Sequence, residues 1–190
     1  SFNKSKLKTV EYISKSRTPY LPYSCIILDE IMRVTNPKNI ICSISGLREG
    51  SLSIDYFKDV KDTEIFLKAL ENVAKKRGDL GSNYKKYYDF IQPVFEGNEH
   101  FNKKLLYLAC VLSHMDWGLG AFQKAELVFQ ETINTPLLRL THKERIQLAL
   151  SCYWRYCSIK YNPKMEYLTF LNNNEIFSSK QVGAALRFSQ

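Results

Sequence analysis

Between Leu21 and Val34 the apolar residues Ile26, Ile27, Leu28, Ile31 and Met32 fall at helical spacing. The run opens on Leu21-Pro22-Tyr23, where a first helical turn tolerates proline, and it closes ahead of Asn36-Pro37. The pattern then changes. Asn39-Ile40-Ile41-Cys42-Ser43-Ile44-Ser45 is apolar, partly β-branched and ends at a glycine, which predicts a buried strand. Gly46-Leu47-Arg48-Glu49-Gly50 follows, and its two glycines predict a sharp backbone turn leading into Ser51-Leu52-Ser53-Ile54. From about Asp62 the periodicity is helical to the end. Ile65, Phe66, Ala69, Leu70, Val73 and Ala74 share one face of a helix that stops at Lys75-Lys76-Arg77-Gly78. Tyr84, Tyr87, Tyr88 and Ile91 make a second stripe, stopped at Gln92-Pro93. A third helix, about 101–116, is apolar nearly all round through Leu105–Leu112 and is expected to be central. Phe122, Ala125, Phe129 and Ile133 mark a fourth. Thr141 with Glu144 three residues on forms a capping box for a fifth, which runs to Cys157. Two shorter helices, about 163–172 and 178–189, end the chain, and a short amphipathic helix over 3–15 begins it. Asn172-Asn173-Asn174 reads as a loop.

These elements define a mainly α protein: a helical domain over 59–190, preceded over 1–58 by a small α/β remnant. The 39–45 strand finds no partner strand in the sequence. It must stand as an edge, or pair with another copy. No internal repeat or heptad pattern is present.

Composition narrows the class. With 45% apolar and 13% aromatic residues the chain can bury a core. Its longest apolar run, Leu105–Leu112, is far short of the roughly 18 residues that cross a bilayer. The sequence opens at Ser1 with no signal-peptide pattern, and the expectation is a cytoplasmic piece of a longer, bacterial-style protein. Five cysteines (25, 42, 110, 152, 157) are scattered without a C-x-x-C pair, which fits buried thiols in a reducing compartment. A net charge of +8 favours polyanions as partners: polyphosphate, nucleotides, nucleic acid or an anionic surface.

No G-x-x-x-x-G-K-[ST] or G-x-G-x-x-G phosphate loop occurs. An anion could meet backbone N–H groups at Gly46–Gly50, although a turn explains the same glycines. His114 and Asp116 are two apart and would point to different faces of a helix, so they make no ligand pair. His100 and His142 lie on other elements without ligand-spaced partners. Basic residues gather at Lys4/Lys6/Lys8, Lys75/Lys76/Arg77, Lys85/Lys86 and Lys103/Lys104. Each group suits a solvated helix end, and together they could line a groove for a flexible polyanion. Tyr84, Tyr87 and Tyr88 could stack on bases, but their 3-4 spacing fits core packing better.

The succession of helix, Asn-Pro break, strand, Gly-Leu-Arg-Glu-Gly and apolar turn resembles the exopolyphosphatase / guanosine pentaphosphate phosphohydrolase family, in its α-proteobacterial form. Leu108-Ala109-Cys110-Val111-Leu112-Ser113 with Trp117, Ala125-Glu126, Thr135-Pro136, Leu140-Thr141-His142 and Ala184-Ala185-Leu186-Arg187 extend the likeness. The resemblance implies the end of the second actin-like (ASKHA) lobe followed by a helical, HD-like C-terminal domain. Phosphate-gripping loops, the catalytic glutamate and the Mg2+ ion would belong to earlier sequence. At the place of the HD metal motif the resemblance puts Ser113 for the histidine and His114 for the aspartate, so no catalytic or metal site is expected in this chain. Arg17, Arg48, Lys85, Lys86, Lys103 and Lys104 are the candidate substrate-binding residues. The implied role is guiding polyphosphate or guanosine pentaphosphate and forming a homodimer, without turnover or membrane contact. The alternative is a stand-alone helical module that binds RNA or another polyanion.

Overall fold

The structure is a computed structural model that describes residues 14–40, 46–48, 50, 51, 72, 75, 83–97, 102–114, 120–135, 137, 140–161, 163 and 165–189. The chain divides into two compact units, Ser1–Ser43 and Ile44–Gln190. The boundary expected near residue 58 lies outside the described residues, as do the 3–15 helix up to residue 13 and Leu52–Ile54.

In the first unit, a 3-10 turn over Thr18–Tyr20 leads into helix α1, Leu21–Thr35, with Pro22 in its first turn. The Asn-Pro break works through a left-handed cap. Asn36 sits at φ 42° and donates its N–H to the Met32 carbonyl. No residue of α1 is buried: Tyr23 is 67% exposed, Ile26 62% and Ile31 52%. The apolar spacing therefore predicted the helix correctly, yet its apolar face stays exposed. Asn39 and Ile40 adopt no strand, and 41–45 lie outside the described residues; among the described residues there is no strand at all.

The glycine-rich segment differs from expectation. Leu47, Arg48, Gly50 and Ser51 are helical, and the Gly50 N–H reaches the Gly46 carbonyl at 3.1 Å. Glycine's freedom includes the helical region, and here the i,i+4 bond replaces the sharp turn. Of the helix expected over 62–78, Asn72 and Lys75 are described, and both are helical.

Helix α2, Tyr84–Ile91, runs on into a 3-10 turn, Gln92–Phe95, because Pro93 removes the donor an α-helix would need. Helix α3, Lys103–Leu112, starts where the Asn102 side chain accepts the Lys104 N–H at 3.0 Å. It stops at Ser113, short of the expected 116. Helix α4 spans Ala121–Asn134, and helix α5 spans His142–Tyr156 behind the expected box of Thr141 and Glu144. A four-residue helix, α6, covers Met165–Leu168. A second capping box, Asn172 with Glu175, then begins α7, Asn173–Phe188. The triple asparagine is thus a helix start rather than a loop.

Helix α5 is the hub, and α3 is buried beside it as its all-round apolar character predicts. Helix α5 buries ten of its fifteen residues and packs against α3, α4 and α7. One core layer gathers Ile91, Leu106, Leu112, Leu148, Cys152 and Leu186; the other holds Ala125, Phe129, Ala149, Tyr153, Trp154 and Leu171. Both layers draw on α5, on opposite sides, which is why an all-round apolar helix suits this position. Cys110, Cys152 and Cys157 are buried free thiols as expected, whereas Cys25 is exposed on α1; Cys42 lies outside the described residues.

Candidate functional site

Where α3 ends, Ser113 donates its N–H to the Ala109 carbonyl at 2.9 Å and is fully buried. The chain leaves the helix there, so His114 is not on a helix face. Tyr156, at the end of α5, donates its hydroxyl to the Ser113 carbonyl at 2.7 Å and fixes this exit. A helix's last carbonyls need donors from elsewhere, and a phenol can supply one in a part-buried place.

Arg155 is the centre of the cluster. It is only 2% exposed, yet it carries a guanidinium among apolar neighbours on α5. Its Nη1 donates to Ser113 Oγ at 2.7 Å and lies 3.0 Å from His114 Nδ1. Its Nη2 lies 3.1 Å from His114 Nε2. Tyr87 of α2 stacks on the His114 ring, with centroids 4.6 Å apart and planes at 25°. The guanidinium carbon sits 6.0 Å from the Tyr87 ring centre and 5.7 Å from that of Tyr156. Three helices therefore meet at one buried cation.

The electrostatics follow from burial. Desolvation lowers the Arg155 pKa, opposed by Tyr156, Cys152, Tyr87 and Cys110, but a guanidinium stays charged in any case. Burial pushes the Cys110 thiol up to about 12, so it is neutral beside Arg155, which pulls the other way. Among the described residues no carboxylate pairs with Arg155, and its Nε has no acceptor there. An imidazolium would set two N–H donors against the two of the guanidinium.

A serine hydroxyl and one imidazole face a guanidinium here, and a guanidinium repels a divalent ion. Among the described residues no group of three metal-ligating side chains occurs. Asp116 and Trp117 lie outside the described residues.

The six candidate substrate-binding residues lie at four separate places in the chain. Arg17 precedes the 3-10 turn in the first unit and Arg48 is itself helical; both are exposed. Lys85 and Lys86 occupy the first turn of α2. Lys103 and Lys104 occupy that of α3. Lys85, Lys86 and Lys103 are exposed and Lys104 is half-buried. The tyrosines, by contrast, are committed to packing. Tyr84 and Tyr88 both meet Tyr107 edge-on, with centroids at 5.3 and 5.2 Å, and Tyr87 covers His114. They present no platform for bases.

In the sequence Ser113 and His114 stand out at the motif place, whereas Arg155, within Tyr153-Trp154-Arg155-Tyr156, has no role assigned to it. The available signal was a charge inside the otherwise apolar stretch Leu148–Tyr156, a place where an unpaired arginine is rare.

The protein class shown by the structure is a helical domain built around α5. No known protein family and no curated protein matches the chain.

Proposed function

We propose that the chain is the rear part of a two-lobed phosphohydrolase of the exopolyphosphatase / guanosine pentaphosphate type, in which it guides a phosphate polyanion and makes the homodimer without breaking bonds itself. The observation that carries this reading is the buried guanidinium of Arg155 against Ser113 and His114, the residues that the resemblance puts at the HD metal motif. A built-in cation there favours holding negative charge over activating water. Exposed lysines at the starts of α2 and α3, and the net charge of +8, supply an attractive field for such a ligand.

The bare apolar face of α1 supports the finer fold reading. Ile27, Ile31, Tyr23 and Val34 are all more than half exposed, more apolar surface than a solvated helix normally carries. In an actin-like lobe such a helix covers a sheet. The Mg2+ ion and the catalytic carboxylate of the reaction belong, on this reading, to residues outside the chain, and the location is the cytoplasm. Among the described residues no helix is long and apolar enough to cross a membrane.

Competition binding at several salt concentrations tests the proposal. Long-chain polyphosphate is expected to bind in preference to RNA of equal charge, with an affinity that falls as salt rises. Preference for RNA would favour the helical RNA-binding module instead. Phosphate release by the 190-residue chain, abolished by a point substitution within it, would overturn the absence of turnover.

A further inference from the structure

The end of the Arg155 fork meets the two ring nitrogens of His114 at 3.0 and 3.1 Å. Two acceptors at such distances from Nη1 and Nη2 are what a carboxylate or phosphate offers a guanidinium in bidentate fashion. Imidazole fills the two places badly. A neutral ring has one lone pair and one N–H, so one of the two contacts sets N–H against N–H. The side of the fork is unused as well: the buried Nε has no acceptor among the described residues. A cation this deeply buried without a described counter-charge is costly, and any acceptor of negative charge that reaches it is favoured. Ser113 and Arg155 are buried, whereas His114, Tyr87 and Tyr156 are half-buried, so the ring covers the fork from its more exposed side, held there in part by its stacking on Tyr87.

We propose that Arg155 is a binding site for a tetrahedral oxyanion of the phosphate class, and that the His114 ring is its displaceable stand-in. On binding, the ring leaves the end of the fork. Two oxyanion oxygens accept from Nη1 and Nη2, and Ser113 Oγ, which now accepts from Nη1, can donate its own hydrogen to a third. No bond in the ligand is broken. Free inorganic phosphate and the end group of a phosphate chain share this chemistry. The inference deepens the polyanion-guiding reading by naming a site, but its argument rests on three side chains rather than on that reading.

The test is titration of the full chain with sodium phosphate, against sodium chloride at matched ionic strength and fixed pH, followed by the His114 ring-proton resonance where the ring is kept and by calorimetry in every variant. A saturable shift specific to phosphate is expected. His114→Ala removes the competing ring and should tighten phosphate binding by about threefold or more, while Arg155→Lys keeps charge, loses the fork and should weaken it about tenfold. Arg155→Met should abolish binding; if that variant fails to fold, the other two carry the comparison. An equal shift with chloride, or a His114→Ala protein that binds phosphate no more tightly than the parent chain, overturns the site. Tripolyphosphate separates the sources. Tighter binding than phosphate, still weakened by Arg155→Lys, assigns the chain end, and equal binding assigns the free ion. Tripolyphosphate binding untouched by Arg155→Lys, with no phosphate-specific shift, defeats this inference alone and leaves the guiding role standing. Phosphate bound at Arg155 with no binding of longer chains counts against the guiding role alone.

Discussion

Gly183 on α7 lies so close to Trp154 on α5 that a β-carbon added there would stand 2.6 Å from the Trp154 Cβ. The same added carbon would meet the Ser151 carbonyl oxygen at 2.8 Å and the Trp154 carbonyl carbon at 2.9 Å. Two of the three contacts are backbone, which cannot rotate out of the way. Gly183→Ala should therefore force α7 off α5 and cost about 3 kcal/mol or more, despite alanine's better helix propensity. Urea unfolding of the variant against the parent chain measures it. A cost under about 0.5 kcal/mol would mean the helices cross less tightly than this glycine indicates.

Helix ends supply the next prediction, because α4 and α5 are each closed by an arginine from elsewhere. Arg187 of α7 donates from Nε to the Arg155 carbonyl at 2.9 Å and from Nη2 to the Trp154 carbonyl at 2.8 Å, with Nη2 also on the Cys157 carbonyl. Arg145 does the same for the end of α4, through Thr135 at 2.8 Å and Leu137 at 3.1 Å. These donors meet carbonyls left over at a C-terminus, where the helix dipole also favours a cation. Arg187→Met should cost about 2 kcal/mol, with partial recovery in Arg187→Lys, as read by thermal or urea unfolding. Equal losses for both replacements would mean that packing of the stem, not donation, is what the arginine contributes.

The contrast between these features and the sequence is instructive. The Thr141–Glu144 box was legible because capping is local: both partners lie within one turn, and the sequence carries them side by side. The apolar stripes of α2, α4 and α5 were legible for the same reason. Arg155 and His114 are 41 positions apart, and their meeting depends on how α3 and α5 cross, which no periodicity encodes. Gly183 sits in Val182-Gly183-Ala184, where a glycine in a helix reads as mere weakness until a neighbour's backbone is in place. At Gly46–Gly50 the residue type allowed both a turn and a helix, and the backbone took the one with the i,i+4 bond. Helix α7 starts earlier than the expected 178 because asparagine, a residue type common in loops, also caps helices, and Asn172 does so here.

Thr132 offers a gain in stability. It is fully buried on α4, and its hydroxyl has no hydrogen-bond partner among the described residues. Valine has nearly the same shape and no group to desolvate. Thr132→Val should raise stability by about 1 kcal/mol, seen as a higher urea midpoint with an unchanged slope. A drop of the same size would place a buried water or another acceptor on that hydroxyl.

Cys110 makes a pH prediction whose sign is fixed by its direction of shift. Burial raises the thiol from its ordinary 9.0 to about 12, with Cys152 adding to the rise and Arg155 opposing it. Between those values the unfolded chain has lost the proton and the folded chain still holds it. The stabilisation is therefore complete below pH 9 and declines as pH climbs toward 12, by about 1.4 kcal/mol per pH unit for one group. Tyr88 and Tyr153, both raised by burial above their ordinary 10.0, add their own declines only above that value. The interval from 9 to 10 thus isolates thiol chemistry. Unfolding free energies of the parent chain and Cys110→Ala, measured at pH 7, 9 and 10, should differ in slope only over that interval: the variant loses some stability at pH 7 from the smaller side chain, but falls less steeply beyond pH 9. Parallel curves would show that the Cys110 thiol ionises as readily in the folded chain as in the unfolded one, and that the core beside Arg155 is open to water.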